Sequence, residues 1–324
     1  MKTNVAYMAL ALTLLSCAAA PAADGKGGQP GVFRELKLGG RPAAMGGAYV
    51  AVAEGGIGHL YNPAGPALSR QYIAAFSYRA MHLDRRLGFA SASIPAREEA
   101  VISVAWVYAG TAPLEGRDIQ GNILPDNPIS HSENLIAVNF AKRFIPQLSI
   151  GGKAFYLQNN IGNINATTAG VDFGVLTMLD LSKTAMGKMI PVFQAGLAVE
   201  NLGANYKWTT TDYWQTLGQE LGSSFDEKLP VIFRLGMAVS RPGRFLVAAD
   251  LAASTASVLK THFGGEYVAY RDLCLRAGLD DWHPTLGAGL MKKFDKLAIV
   301  FDFAYLLDKV GEGNDLLASF ELRF

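Results

Sequence analysis

The chain has 324 residues, half of them apolar and 18% charged, and its formal net charge is +1. Charge so near balance leaves no broad basic face for nucleic acid. Beyond the N-terminus no run approaches the roughly eighteen apolar residues of a membrane-crossing helix, so helical spans are excluded. A transmembrane β-barrel is not excluded, because its strands need only about 9–11 residues with one lipid-facing side.

The chain opens with Lys2, an apolar run from Val5 to Leu15 and then small residues. This is the pattern of an export signal over residues 1–22, with cleavage near Ala20-Pro21-Ala22. Leu14-Leu15-Ser16-Cys17 also resembles a bacterial lipobox, which would make Cys17 a lipidated N-terminus instead. The one cysteine after the signal is Cys274, so neither a disulfide framework nor a cysteine zinc site is expected. The histidines His59, His82, His131, His262 and His283 lack ligand spacing, and no metal or cofactor is expected.

Residues 23–68 show little strand character and end in Asn62-Pro63-Ala64-Gly65, residue types that punctuate a chain. Met45-Gly46-Gly47-Ala48 has neither the following Gly-Lys-Ser/Thr nor the βαβ setting of a phosphate loop. Its glycines fit close backbone packing and left-handed φ angles better.

From about residue 70 the dominant period is two. The alternation predicts strands at 70–81, 85–96, 99–110, 132–144, 147–159, 168–181 and 190–203. Seven more are predicted at 229–241, 244–254, 259–270, 272–281, 284–294, 296–308 and 313–324. Fourteen is an even number, as a bacterial barrel requires, and the expected fold is an all-β, antiparallel transmembrane barrel over 69–324. The two longest connections, 111–131 and 204–228, fall at one end and short turns at the other. With the first strand leaving the periplasm, the long loops are extracellular and both termini periplasmic.

Opposite the apolar stripe lie Lys153, Asp172, Glu200, Arg234, Asp250, Glu266, Arg276 and Asp302, with Glu321 and Arg323 in the last strand. They are candidate lumen-lining residues, since a charge facing lipid near the midplane costs up to about 2–4 kcal/mol. Pairing across neighbouring strands competes with a ligand or proton role for them. Arg41 is a candidate to pair with a lumen carboxylate such as Asp302 or Glu266, or else to be hydrated. Tyr206, Trp208, Tyr213 and Trp214 are expected in an interfacial girdle, or else at an entrance or partner surface. Neither His82 nor His262 has a serine at a spacing that suits a hydrolase, so no catalytic residue is assigned.

Phe320, Leu322 and the terminal Phe324 alternate in a way that resembles the signal read by the outer-membrane barrel-assembly machinery. Gly39, Arg41, Met45, Gly46, Gly47, Ala48, Tyr49, Val50, Ala51, Val52 and Ala53, followed by Asn62-Pro63-Ala64-Gly65, resemble a known N-terminal pattern. It is that of the FadL-type outer-membrane transport proteins, particularly the PorV/PorQ branch. Glu200-Asn201-Leu202-Gly203 is similar to the end of a middle strand in that branch. The resemblance implies a fourteen-stranded barrel in the lipid of the bacterial outer membrane, with the region before the Asn-Pro-Ala motif as a hatch. Arg41, Met45, Gly46, Gly47, Tyr49, Asn62, Pro63, Ala64 and Gly65 would be its hatch and gating residues. Compared with fatty-acid transporters the chain is short and lacks long helical loops, which favours the compact branch. Two roles follow from the resemblance. One is passive transport of hydrophobic or amphipathic small molecules through a hatch-gated lumen, with a mainly apolar pocket between Gly39–Tyr61 and the wall. The other is contact of the extracellular loops with a secreted protein. Asn62 is expected to bond backbone groups of the hatch or of an adjacent strand.

Overall fold

Alternating side chains turn most of the chain into strands that close on themselves. The computed structural model describes residues 30–69, 71–97, 99–117, 120–210, 222–256, 258–307 and 313–324. The expected export signal, Cys17, Tyr213 and Trp214 lie outside these residues.

The strands are β1 (Ile73–Ala80), β2 (Arg85–Pro95), β3 (Ala100–Thr111), β4 (Leu114–Arg117), β5 (Ile123–Ile129), β6 (His131–Ile145), β7 (Leu148–Ile161), β8 (Ile164–Asp180) and β9 (Val192–Leu202). They continue as β10 (Asn205–Thr209), β11 (Ser224–Lys228), β12 (Ile232–Arg241), β13 (Phe245–Ser254), β14 (Lys260–Tyr270), β15 (Leu273–Asp280), β16 (His283–Lys293), β17 (Ala298–Leu306) and β18 (Asp315–Arg323). β10 prolongs β9 past a bend in which Asn201 and Gly203 have φ of 66° and 75°. β11 leads into β12 in the same way, so the wall is a closed antiparallel barrel of fourteen strands. Closure is made by β1 against β18, in register from Ile73–Arg323 to Ala80–Leu316. Each of the fourteen strands expected from alternation is present, with ends displaced by a few residues. The long connections differ from plain loops: one holds the β4–β5 hairpin, and β10 and β11 extend the wall from the other.

Period two decides which side each residue faces. On β3 and β6, Ile102, Val104, Trp106, Ile136, Val138 and Phe140 are exposed on the outer surface. Their neighbours Ser103, Ala105, Val107, Ala137 and Asn139 are buried inward. The core is therefore not between sheets. It lies inside the barrel, where Leu87, Phe89, Phe155 and Leu157 of the wall meet Met45, Tyr49, Val52 and Ile57 of the N-terminal segment.

Candidate functional site

Residues 38–68 of the N-terminal segment contain only two short α-turns, Gly40–Ala44 and Gly58–Tyr61, and a 3-10 turn at Gly65–Leu68. Backbone without regular partners must find others when it is buried, and here the wall supplies them. Asp250 on β13 accepts the Tyr49 and Val50 amides through Oδ2, at 2.6 and 2.8 Å. Thr285 accepts the Gly46 amide at 3.0 Å and donates to the Ala44 carbonyl. Ser77 and Ser319 accept the amides of Gly39 and Gly40. Inside the segment, the Tyr61 hydroxyl donates to the Leu38 carbonyl at 2.9 Å and meets the Tyr49 ring edge-on. Burial pushes both tyrosine hydroxyls above their ordinary pKa, so they stay neutral.

Such contacts need the segment's backbone to touch the wall's backbone, and glycines on the inner face permit it. A Cβ on Gly174 would overlap the Asn62 amide oxygen, and one on Gly264 would overlap the Met45 carbonyl. Gly196 faces Val50 and Gly278 faces Met45 and Gly46 in the same manner. Gly46 and Gly47 take φ of 62° and 83°, a turn that side chains resist. Asn62 is fully buried. Its Nδ2 donates to the Val50 carbonyl at 3.0 Å and the Val175 carbonyl of β8 at 3.1 Å, and its Oδ1 accepts the Ala64 amide. Pro63 and Ala64 lie against Gly151, and the Pro63 carbonyl accepts from Asn139. Gly65 does not have a positive φ. It is needed because a Cβ there would overlap the Ala53 carbonyl.

The charged residues form two groups inside the lumen. Toward the end with the short turns, Arg41 donates to Glu266 (Nε–Oε2 2.8 Å) and to Glu54 (Nη1–Oε2 2.8 Å). Arg276 joins Glu266 at 2.6 Å and Asp302 at 2.7 Å. Of the two partners expected for Arg41, Glu266 is the one it meets; Asp302 belongs to Arg276. Arg323 pairs with Glu321, which also accepts the Gly56 amide at 2.8 Å. In the other group, Asp172 holds Arg34 at 2.7 Å and Lys153 at 2.9 Å, while Arg234 pairs with Glu200 at 2.8 Å. Lys260 pairs with Glu35, and Arg79 with Asp315 at 2.5 Å. Arg79 and Asp315 could have been found from their inward parity. Arg34, Glu35 and Glu54 could not, because an aperiodic segment carries no signal of direction.

Where the inward side chains are small, space remains. Ala75, Ser77, Cys274, Gly289 and Ser319 line a cavity of about 160 Å³ beside Gly39–Ile57. Pro42, Ile57, Phe89 and Val300 give it an apolar side, and Arg41, Arg276, Glu266 and Asp302 a charged one. Its lining is apolar over the larger part, with charged residues among it. One correction concerns aromatics. Tyr206 is fully buried and Trp208 nearly so, and they join the interior core instead of a lipid-facing girdle. Both lie beyond the bend at Asn201–Gly203 and face inward. The Tyr206 hydroxyl reaches Glu133 at 3.4 Å, and the Trp208 indole donates to Glu227 at 2.8 Å. Phe320 and Phe324 are exposed on the outer surface and Leu322 is half-buried.

The closed fourteen-stranded barrel has counterparts among solved structures. The monoaromatic hydrocarbon channel CymD superposes with a TM-score of 0.59 at 13% identity, over 91% of this chain and 98% of that one. This is the FadL-type barrel fold. The Pseudomonas aeruginosa FadL homologue gives a TM-score of 0.57 at 10% identity, over 89% of this chain and 98% of that one. The Pseudomonas putida toluene transporter TodX gives 0.55 at 13% identity, over 89% and 97%. The chain matches no family model and no curated protein. The outer surface of the wall is apolar, as the lipid-facing band of a transmembrane barrel is.

Proposed function

We propose that this FadL-type barrel is a passive outer-membrane channel for hydrophobic or amphipathic small molecules, with the N-terminal segment as its hatch. The observation that carries this reading is the cavity beside Gly39–Ile57, which has both apolar and charged lining inside a barrel whose lumen that segment enters. The names of the neighbouring barrels, a toluene transporter and a monoaromatic hydrocarbon channel, support the same class of cargo. On this reading the short-turn end faces the periplasm, and molecules pass by local movement of the segment. Uptake of radiolabelled toluene by wild-type cells and by cells lacking the protein, with and without a plasmid copy, tests it. A slower initial rate, restored by the plasmid, is expected; equal rates in all three strains would end this reading.

The second reading, a PorV-like contact with a secreted protein, draws on the exposed apolar residues Leu114, Ile123 and Phe225 of the two hairpin regions at one end. Affinity capture from intact outer membranes tests it, with a stoichiometric exported partner as the expected outcome.

A further inference from the structure

Arg276 is more than nine-tenths buried and lines the cavity beside the segment. Its Nε and Nη1 are engaged by Glu266 and Asp302, but its Nη2 donates to no group among the described residues. Room for that guanidinium exists because position 289 is glycine; a Cβ there would overlap both Nη1 and Nη2. Pro42, Ile57, Phe89 and Val300 also line the cavity. The space thus combines apolar lining with an unused pair of N–H donors. Charge-assisted hydrogen bonds are stronger than neutral ones, so a ligand that supplies an acceptor to this guanidinium is favoured.

Charge decides what kind of acceptor. Glu54, Glu266, Asp302 and Glu321 outnumber Arg41, Arg276 and Arg323 around the cavity. A carboxylate ligand would face this acidic surplus, whereas a neutral oxygen accepts from Nη2 without adding charge. An ammonium would be drawn to the carboxylates but repelled from the donor. Size narrows the choice further, since an apolar cavity of about 150 Å³ holds one benzene ring and this one measures about 160 Å³. We propose that the cavity binds a neutral, ring-sized apolar molecule bearing one oxygen acceptor: an aromatic alcohol, aldehyde or ketone. The proposal deepens the reading of the lumen as a passage by naming the cargo that pauses there.

Cys274 lines the same cavity and reports its occupancy. The full chain, purified in detergent, is treated with iodoacetamide, and alkylation of Cys274 is followed by peptide mass spectrometry against rising ligand. The probes are toluene, benzyl alcohol, benzaldehyde, benzoate and benzylammonium. Benzyl alcohol and benzaldehyde are expected to protect Cys274 at about tenfold lower concentration than the other three, the value of one charge-assisted hydrogen bond. Arg276→Lys, which keeps the charge but loses the forked donors, is expected to bring benzaldehyde down to the level of toluene. Val300→Phe, which fills the apolar side, is expected to abolish protection by every probe. Protection by benzoate or benzylammonium at the lowest concentration would overturn the proposal, as would equal protection by toluene and benzaldehyde or an unaltered profile in Arg276→Lys. Failure of the transport reading shows separately, as unchanged toluene uptake in cells while Cys274 protection persists.

Discussion

Two stretches of the N-terminal segment are held in the barrel by different physics. Residues 40–67 lie with their backbone against inner-wall glycines and donate amides to Asp250, Thr285 and Ser319. Residues 32–37, by contrast, are tied by side-chain charges: Arg34 to Asp172, Glu35 to Lys260 and Lys37 to Asp280. Backbone contact through glycine is short-ranged and indifferent to salt, and any added atom disrupts it. Ion pairs tolerate displacement, weaken as ionic strength rises and depend on protonation. Any gate in this segment is therefore better placed in its first few residues than in the glycine-clamped part.

The largest effect expected from breaking the clamp is at Asp250. Asp250→Ala leaves the Tyr49 and Val50 amides buried without acceptors, and each such group costs about 1–3 kcal/mol. Thermal unfolding of the folded barrel band on gels should shift strongly downward, with Asp250→Asn intermediate because its amide oxygen still accepts. An unchanged transition would mean that Asp250 does not anchor the segment. Next is Gly174→Val, which forces a side chain into the space of Asn62. Overpacking of this kind costs about 1–3 kcal/mol, and protease should newly cut within 40–67. Ala at a glycine with open space around it, such as Gly88, serves as the control and should change little.

The wall was far more legible in the sequence than the segment. Alternation along Phe245–Ser254 or Ala298–Leu306 assigns each side chain to lipid or lumen, because a strand's period is fixed. It located all fourteen strands and put Asp250, Arg276 and Asp302 on the inner side. Which carboxylate meets which arginine was not legible, since pairing depends on how the segment lies across the wall. Arg41 could have met Asp302, and the course of residues 40–49 takes it to Glu266. Tyr206 and Trp208 misled for a related reason. Aromatics at a strand end usually mark an interface, but the left-handed residues Asn201 and Gly203 turn this stretch so that 206 and 208 face the core. Asn-Leu-Gly was visible as a motif, although nothing in its letters gave the direction of the bend.

Protonation offers a test of intermediate size. His59 lies in the clamped stretch and is fully buried near Lys153; burial, then that positive neighbour, lower its pKa to about 3. An unfolded histidine titrates near 6.5, so the unfolded chain binds the proton more readily. Stability from the neutral ring is complete above about pH 6.5 and is lost as pH falls toward 3, at about 1.4 kcal/mol per unit. At pH 5 the loss is about 2 kcal/mol. His59→Leu should flatten the fall of the unfolding transition between pH 7 and 5, and an equally steep fall in that variant would assign it to other groups.

The smallest effect separates the two stretches most cleanly. Burial alone would raise the Glu35 pKa, but the Lys260 ammonium outweighs it and holds the carboxyl below its ordinary range. The Lys260 side chain is 38% exposed, so much of this attraction is screened by solvent. Lys260→Ala should therefore cost under about 1 kcal/mol of barrel stability and leave Cys274 protection untouched. Protease susceptibility around residues 31–38 should nevertheless rise, and added salt should produce the same rise in the wild type but none further in the variant. Cutting within 40–67 should follow neither salt nor Lys260→Ala. If it did, the charged stretch and the glycine-clamped stretch would open together, and the segment would move as one body rather than from its ion-paired end.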